Sequence, residues 1–337
     1  MFEETYPPPV INTFFTDRTT TLFPFLVISV ILGLFLDYVI LTQSKSLGTF
    51  KYYLLNQAIW AQIYEILMIT LNPVFLTPYF AGYMGGIFRK SAGYAATSAM
   101  NALCFSLFLN NVVGVILSLV NRYILTFHPD WRKYLENKYT ISLIVTFHIS
   151  IYALDVACYF MALSDSEVIR TVAINETGTA LQKYYNESTF IYFSLYGGFS
   201  RRLSLFFFVV ICGLSGILLT SVAVFIKNVF FFRKTKGVIS KTSQYLLISA
   251  FVQIVMCVLF LSVPFGWLVI ALAFNIQDSA NVTNGFIMLV SIHGFVDIVS
   301  TLYFIKPYRK YCLGLVGAFR KRRIEVPRRL LFLSRTE

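Results

Sequence analysis

The chain has 337 residues, of which 57% are hydrophobic and only 13% charged, with 34 Phe, 21 Tyr and a mean hydropathy of +0.69. Soluble domains carry about 25% charged residues and one core cannot bury this much apolar surface, so a soluble globular protein is excluded and a multi-pass membrane protein is indicated. The formal net charge of +12 does not point to nucleic acid, because the basic residues lie between hydrophobic blocks rather than on one soluble face.

A helix needs about 20 predominantly apolar residues to cross hydrocarbon. Seven charge-poor runs meet that length, at 21–43, 53–79, 93–121, 139–162, 203–226, 245–275 and 283–305. The first, LFPFLVISVILGLFLDYVILTQ, follows a short polar segment, 1–20, that holds Glu3, Glu4 and Asp17. Without the basic flank and brevity of a secretory signal core, it reads as a retained span. The second and third are the more polar runs, whereas the fifth and sixth carry no charge at all. The long loop 163–202 has too little apolar content for a core of its own, and a basic tail, 306–337, closes the chain. The expected fold is therefore an all-α membrane protein, a seven-transmembrane helix bundle forming one domain over 21–305.

Lys and Arg concentrate in cytoplasmic loops. With the N-terminus outside and the C-terminus cytoplasmic, three quarters of the 28 Lys and Arg fall on the cytoplasmic side. Those left outside are Arg18, Arg89, Lys90, Arg170, Lys183, Arg201 and Arg202. Three N-glycosylation sequons, Asn175-Glu176-Thr177, Asn186-Glu187-Ser188 and Asn281-Val282-Thr283, all fall in loops that this orientation also places outside.

Within the spans, Asp37, Glu65, Asp155 and Asp297 are costly in hydrocarbon and must face the bundle, a partner or water. Glu65 lies about twelve residues into its span, roughly 18 Å deep at 1.5 Å per residue, and Asp297 is at a comparable or slightly deeper level. Water or a cation between the two is one expectation; protonation with a local hydrogen bond is the simpler one. Asn110 and Asn111 suit hydrogen bonding between helices. A ligand pocket belongs between the outer halves of the helices, with Tyr94, Thr97 and Asn101 on the third span and Ser262 and Trp267 on the sixth as candidate contacts. The five cysteines read as small apolar packing, with Cys312 in the tail also placed for palmitoylation. A tail helix after Pro307 would turn Leu313, Leu315, Val316 and Phe319 toward the bilayer.

The stretch LSLVNRYILTFHPDWRKY, 117–134, ends the third span with Asn121-Arg122-Tyr123. An arginine there can simply snorkel to the headgroups, or it can belong to a switch that meets a partner. Its place in the third of seven spans favours the second reading, since seven-helix receptors with an outside N-terminus often carry an acidic residue, Arg and Tyr at that point.

Several segments resemble the nematode serpentine chemoreceptors, class H most closely and class I next. They are Lys51-Tyr52-Tyr53-Leu54-Leu55-Asn56 opening the second span, Pro78-Tyr79-Phe80-Ala81-Gly82-Tyr83-Met84-Gly85-Gly86 closing it, and Asn121-Arg122-Tyr123. The most specific is the series His293-Gly294-Phe295, Ser300-Thr301 and Lys306-Pro307-Tyr308-Arg309. The resemblance runs from about residue 20 to 315. It implies a G-protein-coupled chemosensory receptor that detects a small-molecule odorant, tastant or pheromone, activates a heterotrimeric G protein, and sits in the plasma membrane of sensory neurons, at their cilia. In such receptors Arg122 is held in the bundle when inactive and released when active, but here Asn121 replaces the acidic neighbour. The chain also departs from the broader receptor pattern. No cysteine in 163–202 pairs with the third span, the seventh lacks Asn-Pro-X-X-Tyr, and Pro264 has no Cys-Trp before it.

Two other function classes compete. A transporter or channel would use the intramembrane carboxylates as a pathway, yet seven spans show no inverted halves and no matched broken helices. An enzyme would need a reactive constellation, but His128, His148 and His293 lie far apart, with no His-Glu-X-X-His or nucleophile motif, so no metal or cofactor is expected.

Overall fold

A backbone in hydrocarbon must satisfy its own hydrogen bonds, and an apolar run does so most simply as helix. The computed structural model describes residues 7–44, 48–162, 165–236 and 241–317. One turn, α1 (Thr13–Thr16), precedes α2 (Arg18–Gln43), the first span. The second and third spans are α3 (Phe50–Leu71) and α4 (Tyr94–Phe127). After the turn α5 (Arg132–Leu135) comes α6 (Lys138–Ala162), the fourth, and α7 (Ser166–Thr177) lies in the long loop that follows. The fifth span is α8 (Phe199–Lys236). The sixth joins α9 (Lys241–Cys257) to α10 (Val263–Ala273), and the seventh joins α11 (Ala280–Ser291) to α12 (His293–Phe304). Another helix, α13, covers 306–317. Among the described residues seven helical segments are long and apolar enough to cross a membrane.

Span ends differ from the sequence reading in several places, α8 running from 199 to 236 against the expected 203–226, and three departures have a local reason. The second span stops at Leu71 rather than 79, because Asn72 adopts the left-handed conformation (φ 46°) and Pro73 follows. The stretch 78–86, expected to close that span, instead contributes to a hairpin of β1 (Pro73–Phe75) and β2 (Ala81–Met84). Gly86 is required there, since a Cβ would collide with the backbone oxygen of Thr70. The third span runs on to Phe127, because nothing stops a helix before His128-Pro129, so Arg122 lies inside it rather than at its end. The sixth is interrupted by a π segment, Val258–Ser262, just before Pro264, whose missing N–H relaxes the helical register.

Lipid exposure divides the helices. The apolar windows of α6 and α8 are only 6% and 11% buried, against 56% for α4. Thus α6 and α8 turn residues such as Leu143, Phe147, Phe206 and Val209 outward, while α3 packs against α2, α4 and α12 at the centre. One core cluster, with Tyr64, Val115, Cys257 and Ile287, fills mid-bundle. A second, with Leu36, Phe50, Leu54, Ile298 and Tyr308, fills the end of the bundle away from the hairpin.

The long loop contradicts its reading as coreless. A two-residue strand, β3 (Ile191–Tyr192), joins β2 in antiparallel pairing, giving the sheet order β1-β2-β3. Ala173, Leu181, Tyr184 and Phe190 of the loop bury against Val74, Leu76 and Tyr79 of the hairpin. Neither part has a core alone, and together they cap one end of the bundle. Glu176 pins the cap, accepting from Tyr192 Oη (2.8 Å), Ser194 Oγ (2.5 Å) and the Leu195 N–H (2.6 Å). Arg89 forms an ion pair with Glu187, and that carboxylate holds the Arg89 guanidinium further up its already high range.

Candidate functional site

The inward face of α4 recurs every three or four residues through Asn111, Val115, Ser118 and Arg122, all buried. Arg122 is 0% exposed, and among the described residues none of its three guanidinium nitrogens has a hydrogen-bond partner. Its Cζ lies 5.5 Å from the Phe50 ring centroid, a cation–π contact. Snorkelling to the headgroups is thereby ruled out, since a snorkelling head would be wet. Asn121 is also buried, with its Nδ2 unpartnered, and so supplies no charge to hold its neighbour.

The counter-charge comes from another helix. Asp297 on α12, 4% exposed, lies within electrostatic reach of Arg122, as does the Tyr308 hydroxyl. The Gln57 amide of α3 donates to both Asp297 oxygens (3.1 and 3.3 Å), and Gln253 of α9 donates to one of them (3.3 Å) and to Thr301 Oγ1 (3.2 Å). Asp297 therefore ties α3, α9 and α12 together around the guanidinium. Tyr308 is fully buried and shares a 2.5 Å hydrogen bond with Ser44; burial pushes its hydroxyl up to about 12, so it remains a neutral dipole. Tyr123 has a separate role. Its Oη accepts from Asn228 Nδ2 (2.8 Å), and its ring packs in an aromatic group with Phe127 and Phe225, linking α4 to α8.

The other intramembrane carboxylates do not join this group. Glu65 accepts from Ser29 Oγ (2.8 Å) and sits against Gly294. Asp37 accepts from Gln62 (3.1 Å), and Asp155 from Ser106 (2.5 Å). Glu65 and Asp297 thus have separate partners. Asn110 bonds His148 of α6, whereas Asn111 is buried with neither amide atom hydrogen-bonded among the described residues, so the expected pair of interhelical bonds is only half made. Gln57, Gln253 and Phe50 were not singled out in the sequence. For Gln253 a lone amide inside an apolar run was the available signal, since unpaired amides are expensive there, whereas Gln57 shares its run with Asn56 and Gln62.

Two of the five pocket candidates are tied by hydrogen bonds. Thr97 is buried with its hydroxyl bonded to Gly93 O (2.9 Å), and Trp267 donates to Thr283 (3.2 Å). Tyr94 and Asn101 are half-buried on α4, and Ser262 lies in the π segment. A cavity of about 690 Å³ lies between α4, α8 and α9, at the end away from the cap, and none of the five lines it.

All three sequons lie at the capped end. Asn175 and Asn186 are exposed. Asn281 is half-buried, and its Oδ1 accepts the Asn12 N–H (2.8 Å). Cys312 is a free, half-buried thiol on α13, pushed up by burial, and Leu313 and Val316 are exposed beside it. Phe319, the rest of the tail and Lys45 lie outside the described residues, as does the Cys158 side chain.

A seven-helix bundle with an arginine buried in its third span, ringed by the second, sixth and seventh, has the architecture of a seven-transmembrane receptor. The chain belongs to the family of serpentine-type seven-transmembrane GPCR chemoreceptors Srh, whose family model matches residues 17–318. This decides between the two classes it resembles in favour of class H. It is a receptor family rather than an enzyme family, and the chain is a multi-pass membrane protein. No curated protein matches the sequence.

Proposed function

We propose that this protein is a chemosensory receptor that binds a small-molecule odorant, tastant or pheromone and activates a heterotrimeric G protein. In this reading the N-terminus and cap face outward and the C-terminus is cytoplasmic. One receptor domain, about 21–305, sits in the plasma membrane, at sensory cilia by family resemblance, followed by the basic tail 306–337.

The carrying observation is that Arg122 is held dry, without a hydrogen bond, inside the end of the bundle opposite the cap. A buried cation costs several kcal/mol, so the fold stores a group that gains by moving into water or onto an acidic partner. Asp297, itself fixed by Gln57 and Gln253, supplies the charge that faces it in place of the absent acidic neighbour. Ligand binding that separates α9 from α12 would undo those bonds and release Arg122 toward the G protein. The four carboxylates, each occupied by its own partner, support this reading over a transport pathway. Asn175 and Asn186, exposed on the cap, support glycosylation of the outer face.

The test is nucleotide exchange on a co-reconstituted heterotrimer, screened over volatile and water-soluble odorants, for wild type and Arg122→Ala. Exchange that needs both ligand and Arg122 supports the proposal. Surface-delivered protein that gives no exchange but passes ionic current or takes up solute refutes it.

A further inference from the structure

The crevice between α4, α8 and α9 has a volume of about 690 Å³, within the roughly 300–1,000 Å³ that small-molecule sites occupy. Its walls include Leu119 and Ile124 of α4, Ile217 and Phe225 of α8, and Ile254 of α9, and among the described residues no charged side chain lines it. The hydroxyls it does contain include ones already bonded: Ser221 donates to Ile217 O (2.7 Å), and Tyr123 accepts from Asn228. A polar solute finds little to bond there. The floor is made by Gly213 and Gly216, where an added Cβ would meet nothing within 4 Å. Such a space in hydrocarbon forfeits dispersion energy until an apolar chain fills it.

Charge marks one end of the crevice. Gly213, Ile217, Thr220 and Val224 line it at successive helical repeats of α8, and the next position on that stripe is Lys227, which is exposed. At the same end the crevice is bounded by Trp131, 51% exposed, and Lys133 follows two residues later. An exposed indole marks headgroup level. Lys227, one helical repeat past the lining residue Val224, and Lys133, two residues past Trp131 with its Nζ 5.2 Å from the Tyr134 ring centroid, bring positive charge to that end, which suits an amphiphile with a negative head.

We propose that this crevice binds one acyl chain of an anionic membrane phospholipid, with the chain against Gly213 and Gly216 and the headgroup between Lys227 and Lys133. The bound chain lies beside the Tyr123–Asn228 link and sets the separation of α8 from α4 and α9. Membrane composition thereby acts on the helices that carry Arg122 and Gln253.

The experiment uses full-length receptor in micelles, with lipid retention read by native mass spectrometry. The probes are phosphatidylserine, phosphatidylcholine and free palmitate. Wild type retains one phosphatidylserine at a concentration at least tenfold below that needed for phosphatidylcholine. Gly216→Phe, whose side chain enters open space, abolishes retention with an unchanged melting temperature. The double variant Lys227→Gln, Lys133→Gln loses the preference for phosphatidylserine. If Gly216→Phe fails to fold, phosphatidylserine with a diazirine on its acyl chain decides the matter on wild type by labelling the 213–225 and 116–124 peptides. Equal retention of the two phospholipids overturns the proposal, as does retention indifferent to Gly216→Phe, or labelling confined to other helices. Displacement of phosphatidylserine by equimolar palmitate overturns it in favour of a free fatty-acid site. None of these readouts needs an odorant or a G protein, so they stand apart from the coupling assay.

Discussion

Asp297→Asn removes the charge facing Arg122 while keeping the shape of the side chain. No ion pair within 4 Å joins the two among the described residues, so their attraction is below the ~4 kcal/mol of unit charges at 4 Å in surroundings of effective dielectric 20. At twice that separation it is about 2 kcal/mol. Losing about 2 kcal/mol of hold on Arg122 changes the ratio of held to released arginine roughly thirtyfold, at 1.36 kcal/mol per tenfold. Gln57 and Gln253 add to the change in the same direction, because bonds to a charged acceptor exceed neutral ones by about 1 kcal/mol each. Ligand-free nucleotide exchange in nanodiscs should therefore rise by at least an order of magnitude. Arg122→Gln in the same chain should return it to baseline. A thermal-unfolding cycle over the two single variants and the double should give a coupling energy of roughly 1–3 kcal/mol. Basal exchange within twofold of wild type, together with no coupling energy, would show that Asp297 does not hold Arg122.

Other consequences follow from the same geometry. Gly294→Ala drives a Cβ into Glu65 and to 2.9 Å from Ala61 O; overpacking of this kind should cost about 1–3 kcal/mol, measured as a lower melting temperature without a change in basal exchange. Tyr123→Phe deletes the Asn228 bond and should cost about 0.5–1.5 kcal/mol, seen as faster hydrogen exchange in 123–128. Asn175→Gln and Asn186→Gln should each remove one glycan from the mass of the expressed protein. Glu136 is held below the ordinary glutamate range by its hydrogen bond from Thr49 (2.6 Å) and then by Arg132. A depressed carboxylate stabilises the fold above its unfolded value of about 4.3 and loses that contribution as pH falls through the folded value. Protection of the 49–54 amides should accordingly be flat from pH 8 to 5 and fall only below about 4. Loss of protection near pH 6 would contradict this.

The sequence by itself determined the number of spans, the bundle class and the family, because each rests on local quantities. Length and hydropathy of a run decide whether it crosses a bilayer, and the series from His293 to Arg309 sits within one span and its exit. It also singled out Arg122 and the four carboxylates, since a charge in an apolar run is visible without any fold. Only the tertiary structure decided how these act. That Asp297 rather than residue 121 faces Arg122 depends on α3, α4, α9 and α12 meeting, and an apolar helix does not show in its sequence which face meets a neighbour and which meets lipid. The cap was hidden for a similar reason: the hairpin and the loop 165–202 each carry half a core, and burial appears only when both halves are brought together. The crevice between α4 and α8 is a gap between helices rather than a property of any residue, so no reading along the chain registers it.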